Sequence, residues 1–216
     1  MDTQKIIAHT TEFVKSKLTG DSSGHDWWHI YRVWNMSRKI QRIEGGDLFV
    51  IELAALLHDI ADWKFNQTEK SGLSIVSGWL KSQEVTPEIS QKVIYIIEHI
   101  SFKGEGEQDK MNLLEGQIVQ DADRLDAIGA TGIARTFAFG GWKGNEMYNP
   151  AIKPVSKMTF DQYKKSNGTT INHFYEKLLL LKELMNTNTA KKIAENRHTF
   201  MELFLNRFFK EWEGVC

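Results

Sequence analysis

The sequence predicts an all-α protein that forms one compact domain over residues 1–216. The chain contains only three prolines, Pro87, Pro150 and Pro154, among 216 residues. An average protein has about 5% proline, so long stretches here are free of the residue that breaks helices. Apolar residues also recur at the spacing of an amphipathic helix over most of the chain. Together, these observations favour helices throughout, with a long loop before the C-terminal helices.

The N-terminal helices can be read from their apolar stripes and from the residues at their ends. One stripe runs through residues 6–18 and ends at a loop rich in glycine and serine. A second helix is expected to begin near Asp26 and to end at Gly45–Gly46, because glycine commonly ends helices. Asp47 can cap a third helix. That helix is apolar and leads directly into His58–Asp59.

The middle of the chain continues the helical pattern after a polar segment at 62–70. A short amphipathic helix is expected around residues 75–80. Thr86-Pro87-Glu88 predicts the start of another helix, since proline is favoured at the first helical position, and this helix runs towards His99. Residues 103–110 are charged and glycine-containing, which is typical of an exposed loop. Residues 118–139 predict one long helix or two short ones.

Residues 140–170 differ from the rest of the chain. They contain two of the three prolines and several glycines, with little periodicity. A long loop of this kind is either a lid or binding segment or an insertion tolerated at the surface. Two further helices, at 173–184 and from about 193 onwards, are predicted to close the chain.

Composition excludes several classes of protein. The net charge is −1, from 27 basic and 28 acidic residues, and no basic helix interleaved with aromatic residues is present, which disfavours nucleic-acid binding. No apolar run is long enough to span a membrane. Cys216 is the one cysteine, so an internal disulfide or a thiolate metal site is excluded. We expect a cytoplasmic protein that is a monomer or a homodimer.

A metal site is suggested by ionisable residues on apolar helical faces. His29 and His58 lie on such faces, Asp59 follows His58 directly, and Asp123 shares a side of its helix with Val119. A lone histidine in this setting is more often part of the core, but buried carboxylates need a partner or a metal. Nitrogen and oxygen ligands without thiolate suit manganese or magnesium, and also iron, cobalt, nickel or zinc.

The order His29, His58–Asp59, Asp123 resembles the H…HD…D pattern of the HD-domain metal-dependent phosphohydrolases. The surrounding residues agree: GHDWWH ends at His29, ALLHDI contains His58–Asp59, and DADRLDA contains Asp123. Residues 173–178 and Arg197-His198 are similar to the bacterial YedJ/YpgQ-like branch of that superfamily. The resemblance extends from about residue 20 to the C-terminus.

The resemblance implies the helical HD-domain fold and one divalent metal ion, most simply manganese or magnesium. The metal-site helices would occupy about 20–139, a lid loop 140–170 and the C-terminal helices 171–212. His29, His58, Asp59 and Asp123 would hold the metal. Asp121 and Asp126 are the nearby alternatives to Asp123.

Further residues are candidates for the site, and several of them have an alternative role. Asp62 would orient or deprotonate the attacking water, and its alternative role is a cap or turn. His99 would contact a phosphate or protonate a leaving oxygen, and its alternative is a structural pair with a carboxylate. His25 and Asp26 are candidates to orient His29, and the alternative role of Asp26 is that of an N-cap only. A polyphosphate also needs cations beyond the metal, and the candidates are Lys64, Arg32, Lys177 and Arg197.

The resemblance implies a nucleotide as substrate. The leading expectation is a (deoxy)nucleoside triphosphate pyrophosphohydrolase that yields monophosphate and pyrophosphate by attack of metal-bound water. The alternatives are a nucleoside 5'-monophosphatase, a cyclic phosphodiesterase and a non-catalytic nucleotide-sensing module. A two-iron oxygenase is disfavoured, because His99 is the one histidine between Asp59 and Asp123.

Overall fold

The computed structural model describes residues 2–18, 26–61, 69–100, 111–155 and 168–215, and no strand occurs within these ranges. The all-α prediction is confirmed. The α-helices are α1 (Thr3–Leu18), α2 (Trp27–Glu44), α3 (Leu48–Leu57), α4 (Glu69–Ser82), α5 (Pro87–Ile100), α6 (Leu114–Asp126), α7 (Gly129–Lys143), α8 (Thr170–Glu176) and α9 (Asn188–Trp212), and 3-10 helices cover His58–Ala61 and Leu178–Leu184. Within the ranges described, no helix is long and apolar enough to cross a bilayer.

The ends of α2 and α3 follow the sequence signals. Asp26 Oδ1 accepts a hydrogen bond from the His29 backbone N–H at 3.0 Å, so Asp26 is the N-cap of α2. Gly45 ends α2 with φ +85°, a value that glycine adopts without the steric cost of a Cβ. Asp47 Oδ1 accepts from Phe49 N–H at 2.9 Å and caps α3. The predicted capping roles of Asp26 and Asp47 are confirmed.

The chain divides into two compact units, and the first contains residues 1–102 and 107–122. The apolar helix α3 lies at its centre and packs against α1, α2 and α5. Residues Phe49–Leu57 are buried except Glu52, because packing partners on several sides leave little of α3 facing water. The C-terminal end of α3 therefore delivers His58 and Asp59 into a protein interior.

The second unit contains residues 103–106 and 123–216. Helix α9 packs against α7 and the 3-10 helix Leu178–Leu184, and α8 packs against the same two elements. The aromatic core of this second unit includes the fully buried Phe174. The ring centroid of Phe174 lies 5.8 Å from that of Phe204 and 6.2 Å from that of Phe137.

The prediction of one continuous helix over residues 173–184 is wrong. Helix α8 ends at Glu176, and Lys177 leaves the helical region with φ −143° and ψ −57°. Four consecutive leucines follow, of which Leu178 and Leu181 are buried. Residues three apart lie on the same face of a 3-10 helix, so this tighter helix buries both of them.

The loop predicted over 140–170 begins later than expected, because α7 continues to Lys143 and ends at Gly144. Part of the loop is bonded to α8: the carbonyls of Glu146 and Met147 accept from the N–H groups of Thr170 and Ile171 at 2.9 and 3.0 Å. Residues 156–167 lie outside the described ranges, and a lid role for the loop stays a prediction.

Candidate metal centre

Two neighbouring elements of the first unit supply the predicted ligands His29, His58 and Asp59. His29 lies in the first turn of α2, three positions after the cap formed by Asp26. His58 and Asp59 open the 3-10 helix that continues α3. The exposed fractions of His29, His58 and Asp59 are 1%, 5% and 7%. Because α2 packs on α3, residues 29 positions apart in sequence meet in this buried setting.

The donor atoms of these three side chains converge. Nε2 of His29 lies 3.3 Å from Nε2 of His58 and 3.3 Å from Asp59 Oδ2. His58 Nε2 lies 3.5 Å from Asp59 Oδ1. Among the described residues, this group has all its potential ligand atoms within 4.8 Å of one another. We call these three residues the His–His–Asp cluster.

The orientation of His58 is set by its own helix. Nδ1 of His58 lies 2.9 Å from the Ala55 carbonyl oxygen. A carbonyl can only accept, so Nδ1 carries the hydrogen and donates. In a neutral ring Nε2 then has a free electron pair, and it faces His29 and Asp59. A backbone carbonyl on the far nitrogen is a common way of orienting a metal-binding histidine.

The His–His–Asp cluster fits a divalent cation. Ligand atoms about 2.1 Å from an ion, at angles between the octahedral and tetrahedral values, lie about 3.0–3.4 Å apart. The separations of 3.3–3.5 Å between the donor atoms are close to that spacing. Two imidazoles and one carboxylate form a mixed nitrogen and oxygen set. A cation would also compensate the charge of Asp59, which is costly to bury.

The predicted ligand Asp123 lies in the last turn of α6 and is partly buried, and its role as a ligand stays a prediction. Its two alternatives are more deeply buried, with Asp121 fully buried and Asp126 4% exposed. Asp126 has a strong partner, since Arg135 Nη1 lies 2.6 Å from its Oδ2. Arg135 was not singled out by the sequence, because nine positions separate the pair and no motif marks it.

His99 and Arg32 are both in the first unit. His99 is partly buried at the end of α5, its Nδ1 donates to the Tyr95 carbonyl at 2.7 Å, and its ring stacks on that of Tyr95 at 4.2 Å. Arg32 follows His29 by three positions on α2, so the two side chains share a face of the helix. Asp62, Lys64 and His25 lie outside the described residues, and their predicted roles stay predictions.

Lys177 and Arg197 belong to the second unit. The backbone N–H of Lys177 closes α8 by donating to the His173 carbonyl at 3.1 Å. Desolvation, followed by the charges of Lys177 and Lys143, lowers the pKa of His173 to about 3. The Arg197 guanidinium donates through Nη1 to the carbonyl of Leu125. Phosphate binding by Lys177 and Arg197 stays a prediction.

Comparison with known proteins shows the family. The HD domain family matches residues 27–128, the range that carries the H…HD…D pattern. The chain is 42% identical to YpgQ of Bacillus subtilis over 204 residues, which cover 94% of this chain and 92% of YpgQ.

Solved structures agree with this match. An HD-superfamily hydrolase from Bacillus thuringiensis superposes with a TM-score of 0.78 and 49% identity, covering 98% of both chains. A protein from Lactobacillus plantarum gives a TM-score of 0.88 and 40% identity, covering 99% of this chain and 100% of that one.

A third solved structure is the complex of Bacillus subtilis YpgQ with ADP. It superposes with a TM-score of 0.78 and 38% identity, covering 97% of this chain and 100% of that one. The similarity therefore extends over nearly the full length of both proteins. With the H…HD…D pattern and the His–His–Asp cluster in place, the chain belongs to the HD-domain superfamily of hydrolases and is a metal-dependent phosphohydrolase.

Proposed function

We propose that this protein is a (deoxy)nucleoside triphosphate pyrophosphohydrolase, releasing a nucleoside monophosphate and pyrophosphate. The observation that carries the metal chemistry is the buried convergence of His29, His58 and Asp59 within 4.8 Å. The choice of a triphosphate follows the resemblance of the C-terminal residues to the YedJ/YpgQ-like branch.

The ADP complex of YpgQ supports a nucleotide substrate. That protein matches this chain over almost its whole length, and ADP contains a ribose, a base and a phosphoanhydride. A phosphohydrolase that accepts such a molecule needs a centre for the phosphates and room for a nucleoside. A nucleoside phosphoanhydride is therefore a better candidate than a small phosphate ester.

In this proposal His29, His58, Asp59 and Asp123 hold one divalent cation, with manganese or magnesium as the first choice. When bound, such a cation lowers the pKa of water and offsets charge on phosphoryl oxygens. His58 is held as a nitrogen acceptor by the Ala55 carbonyl at 2.9 Å. The low exposure of His29 and Asp59 keeps water from competing for their donor atoms.

The remaining proposed roles concern protons and phosphates. Asp62 is proposed to orient and deprotonate the attacking water. Because His99 Nδ1 donates to Tyr95, Nε2 is the ring atom that can exchange a proton with a phosphate oxygen. Arg32, Lys64 and Lys177 are proposed to bind phosphate oxygens, since cationic side chains form the strong charge-assisted contacts of polyphosphate sites.

The decisive experiment is a panel of nucleoside and deoxynucleoside mono-, di- and triphosphates and cyclic nucleotides, with Mn²⁺ or Mg²⁺. Phosphate and pyrophosphate are assayed separately. We expect pyrophosphate and monophosphate in equal amounts from triphosphates. Release of phosphate from monophosphates would show a phosphatase instead. Ring opening of cyclic nucleotides would show a phosphodiesterase, and nucleotide binding without turnover would show a sensing module.

Two carboxylate variants test the metal centre. Asp59→Asn is expected to abolish Mn²⁺ binding and turnover, because an amide has no charge to offset the cation. Glu52→Gln is the matched control: the Glu52 carboxylate, on α3, is poorly exposed like that of Asp59, but it pairs with Trp34 Nε1 at 3.0 Å and Arg38 Nε at 3.3 Å. Equal Mn²⁺ affinity in both variants would refute the ligand assignment.

A third variant tests the proposed role of Asp62. Asp62→Asn should keep Mn²⁺ bound and lower the turnover rate.

A further inference from the structure

Three arginines connect the C-terminal end of α6 to other elements of the second unit. Arg135 of α7 forms the 2.6 Å ion pair with Asp126. Arg197 of α9 donates to the Leu125 carbonyl. Arg124, itself 8% exposed, donates to the carbonyl of Leu184. Each of three consecutive residues, 124–126, is thereby bonded to a different element of this unit.

Arg197 is closely fitted to this place. Gly129 begins α7 with φ +77°, and a Cβ added there would lie 2.9 Å from Arg197 Cγ and 3.1 Å from Arg197 Cβ. The aliphatic part of the arginine thus passes over a position that only glycine leaves open. Desolvation lowers the pKa of Arg197, and the nearby Asp126 carboxylate opposes that shift.

The contact of Arg197 suits a helix end. The last carbonyls of a helix have no partner within the helix and carry partial negative charge. The Leu125 carbonyl accepts from Ile128 N–H at 3.2 Å as well as from Arg197. A guanidinium bonded there restrains the last turn of α6. That turn includes Asp123, two positions before Leu125.

We propose that Arg197 is a positioning residue for the Asp123 carboxylate. By bonding the Leu125 carbonyl and passing over Gly129, it holds the last turn of α6 in one orientation, and Asp123 with it. This inference rests on the proposed role of Asp123 as a metal ligand. It gives Arg197 a role other than the phosphate contact predicted from the sequence.

The experiment measures Mn²⁺ dissociation constants by electron paramagnetic resonance, well below the unfolding temperature. Arg197→Met keeps an unbranched stem over Gly129 and removes the guanidinium. Arg197→Lys keeps the charge and one donor group. Thr187→Ala is the control for a merely structural effect, because it removes the cap of α9, in which Thr187 Oγ1 accepts from Ala190 N–H at 3.2 Å, and leaves the guanidinium of Arg197 in place. Asp123→Ala tests the ligand itself.

We expect Arg197→Met to weaken Mn²⁺ binding about 10–100-fold, the usual effect of removing a group that orients a metal ligand. Arg197→Lys should restore part of the affinity, and Thr187→Ala should bind Mn²⁺ like the wild type while unfolding at a lower temperature. Steady-state kinetics with a nucleoside triphosphate at saturating Mn²⁺ provide the second readout. There, a higher KM in Arg197→Met with an unchanged Mn²⁺ constant would identify a phosphate contact and overturn the positioning role.

The outcome for Asp123 separates the two proposals. Weaker Mn²⁺ binding in Asp123→Ala with unchanged binding in Arg197→Met overturns the positioning role alone. Unchanged binding in Asp123→Ala overturns the ligand assignment and the positioning role together. If Arg197→Met does not fold, two other variants carry the test. Arg197→Lys changes the group that bonds the Leu125 carbonyl, and Gly129→Ala places a Cβ against the stem of Arg197. Wild-type Mn²⁺ affinity in both variants overturns the proposal.

Discussion

Protonation of His173 should make the stability of this protein depend on pH. The surroundings of His173 lower its pKa from 6.5 to about 3, first by desolvation and then through the charges of Lys177 and Lys143. Between these two pKa values the unfolded chain binds a proton that the folded chain excludes. The free energy of unfolding therefore rises with pH across this window and falls as the pH is lowered through it.

The size of this effect follows from the two pKa values. With 6.5 in the unfolded chain and about 3 in the folded one, His173 lowers the free energy of unfolding by about 0.8 kcal/mol at pH 6 and about 2 kcal/mol at pH 5, relative to pH 8. Above pH 7.5 its contribution no longer varies. Lys177→Met should reduce the loss, because it removes the larger of the two lysine contributions.

Urea unfolding of the wild type and of His173→Gln at pH 8, 6 and 5 provides the assay. Between pH 8 and pH 5 the wild type should lose about 2 kcal/mol more than the variant, which has no titrating group at this position. His9→Gln, which removes an exposed histidine of α1, is the matched control. Equal pH dependence of the wild type and His173→Gln, or an NMR titration of the His173 ring near pH 6.5, would refute the reasoning.

Three further outcomes are expected. Gly129→Ala should destabilise the protein more than Gly144→Ala in chemical denaturation: both glycines have φ +77°, but an added Cβ meets Arg197 at 2.9 Å in the first and nothing within 4 Å in the second. Equal losses of unfolding free energy in the two variants would show that the contact of the added Cβ with Arg197 contributes nothing. Asp47→Ala should cost about 1 kcal/mol through loss of the α3 cap, and Asp47→Asn should recover most of it. Mn²⁺ at 100 times its dissociation constant should raise the free energy of unfolding by about 2.7 kcal/mol, and Asp59→Asn should abolish that rise.

Local signals predicted much of the helical structure. Asp26, Asp47 and Pro87 begin helices α2, α3 and α5 as expected, and Gly45 ends α2. Each signal acts on backbone groups within a few positions in the chain, so no knowledge of distant neighbours is required. The break at Lys177 was missed, because burial of Leu178 and Leu181 by other elements decides that the chain continues as a 3-10 helix.

The candidate site was only partly predictable. The pattern selected His29, His58 and Asp59, since histidine and aspartate on apolar helical faces are costly without a partner. The pattern did not reveal that the Ala55 carbonyl orients His58, because a backbone acceptor leaves no trace in residue type. The phosphate contact predicted for Arg197 stays a prediction. The bond from Arg197 to the Leu125 carbonyl was not predicted, because no sequence feature separates a cation that binds a ligand from one that binds a helix end.

The sequence by itself determined the helical class, most helix ends and the residue types able to hold a metal. Only the tertiary structure decided that Nε2 of His29 lies 3.3 Å from Nε2 of His58 and that Arg197 bonds the Leu125 carbonyl. Capping and helical period depend on neighbours along the chain. Contacts between groups 29 or 72 positions apart depend instead on how helices pack within each unit. That packing is set by many apolar contacts acting together.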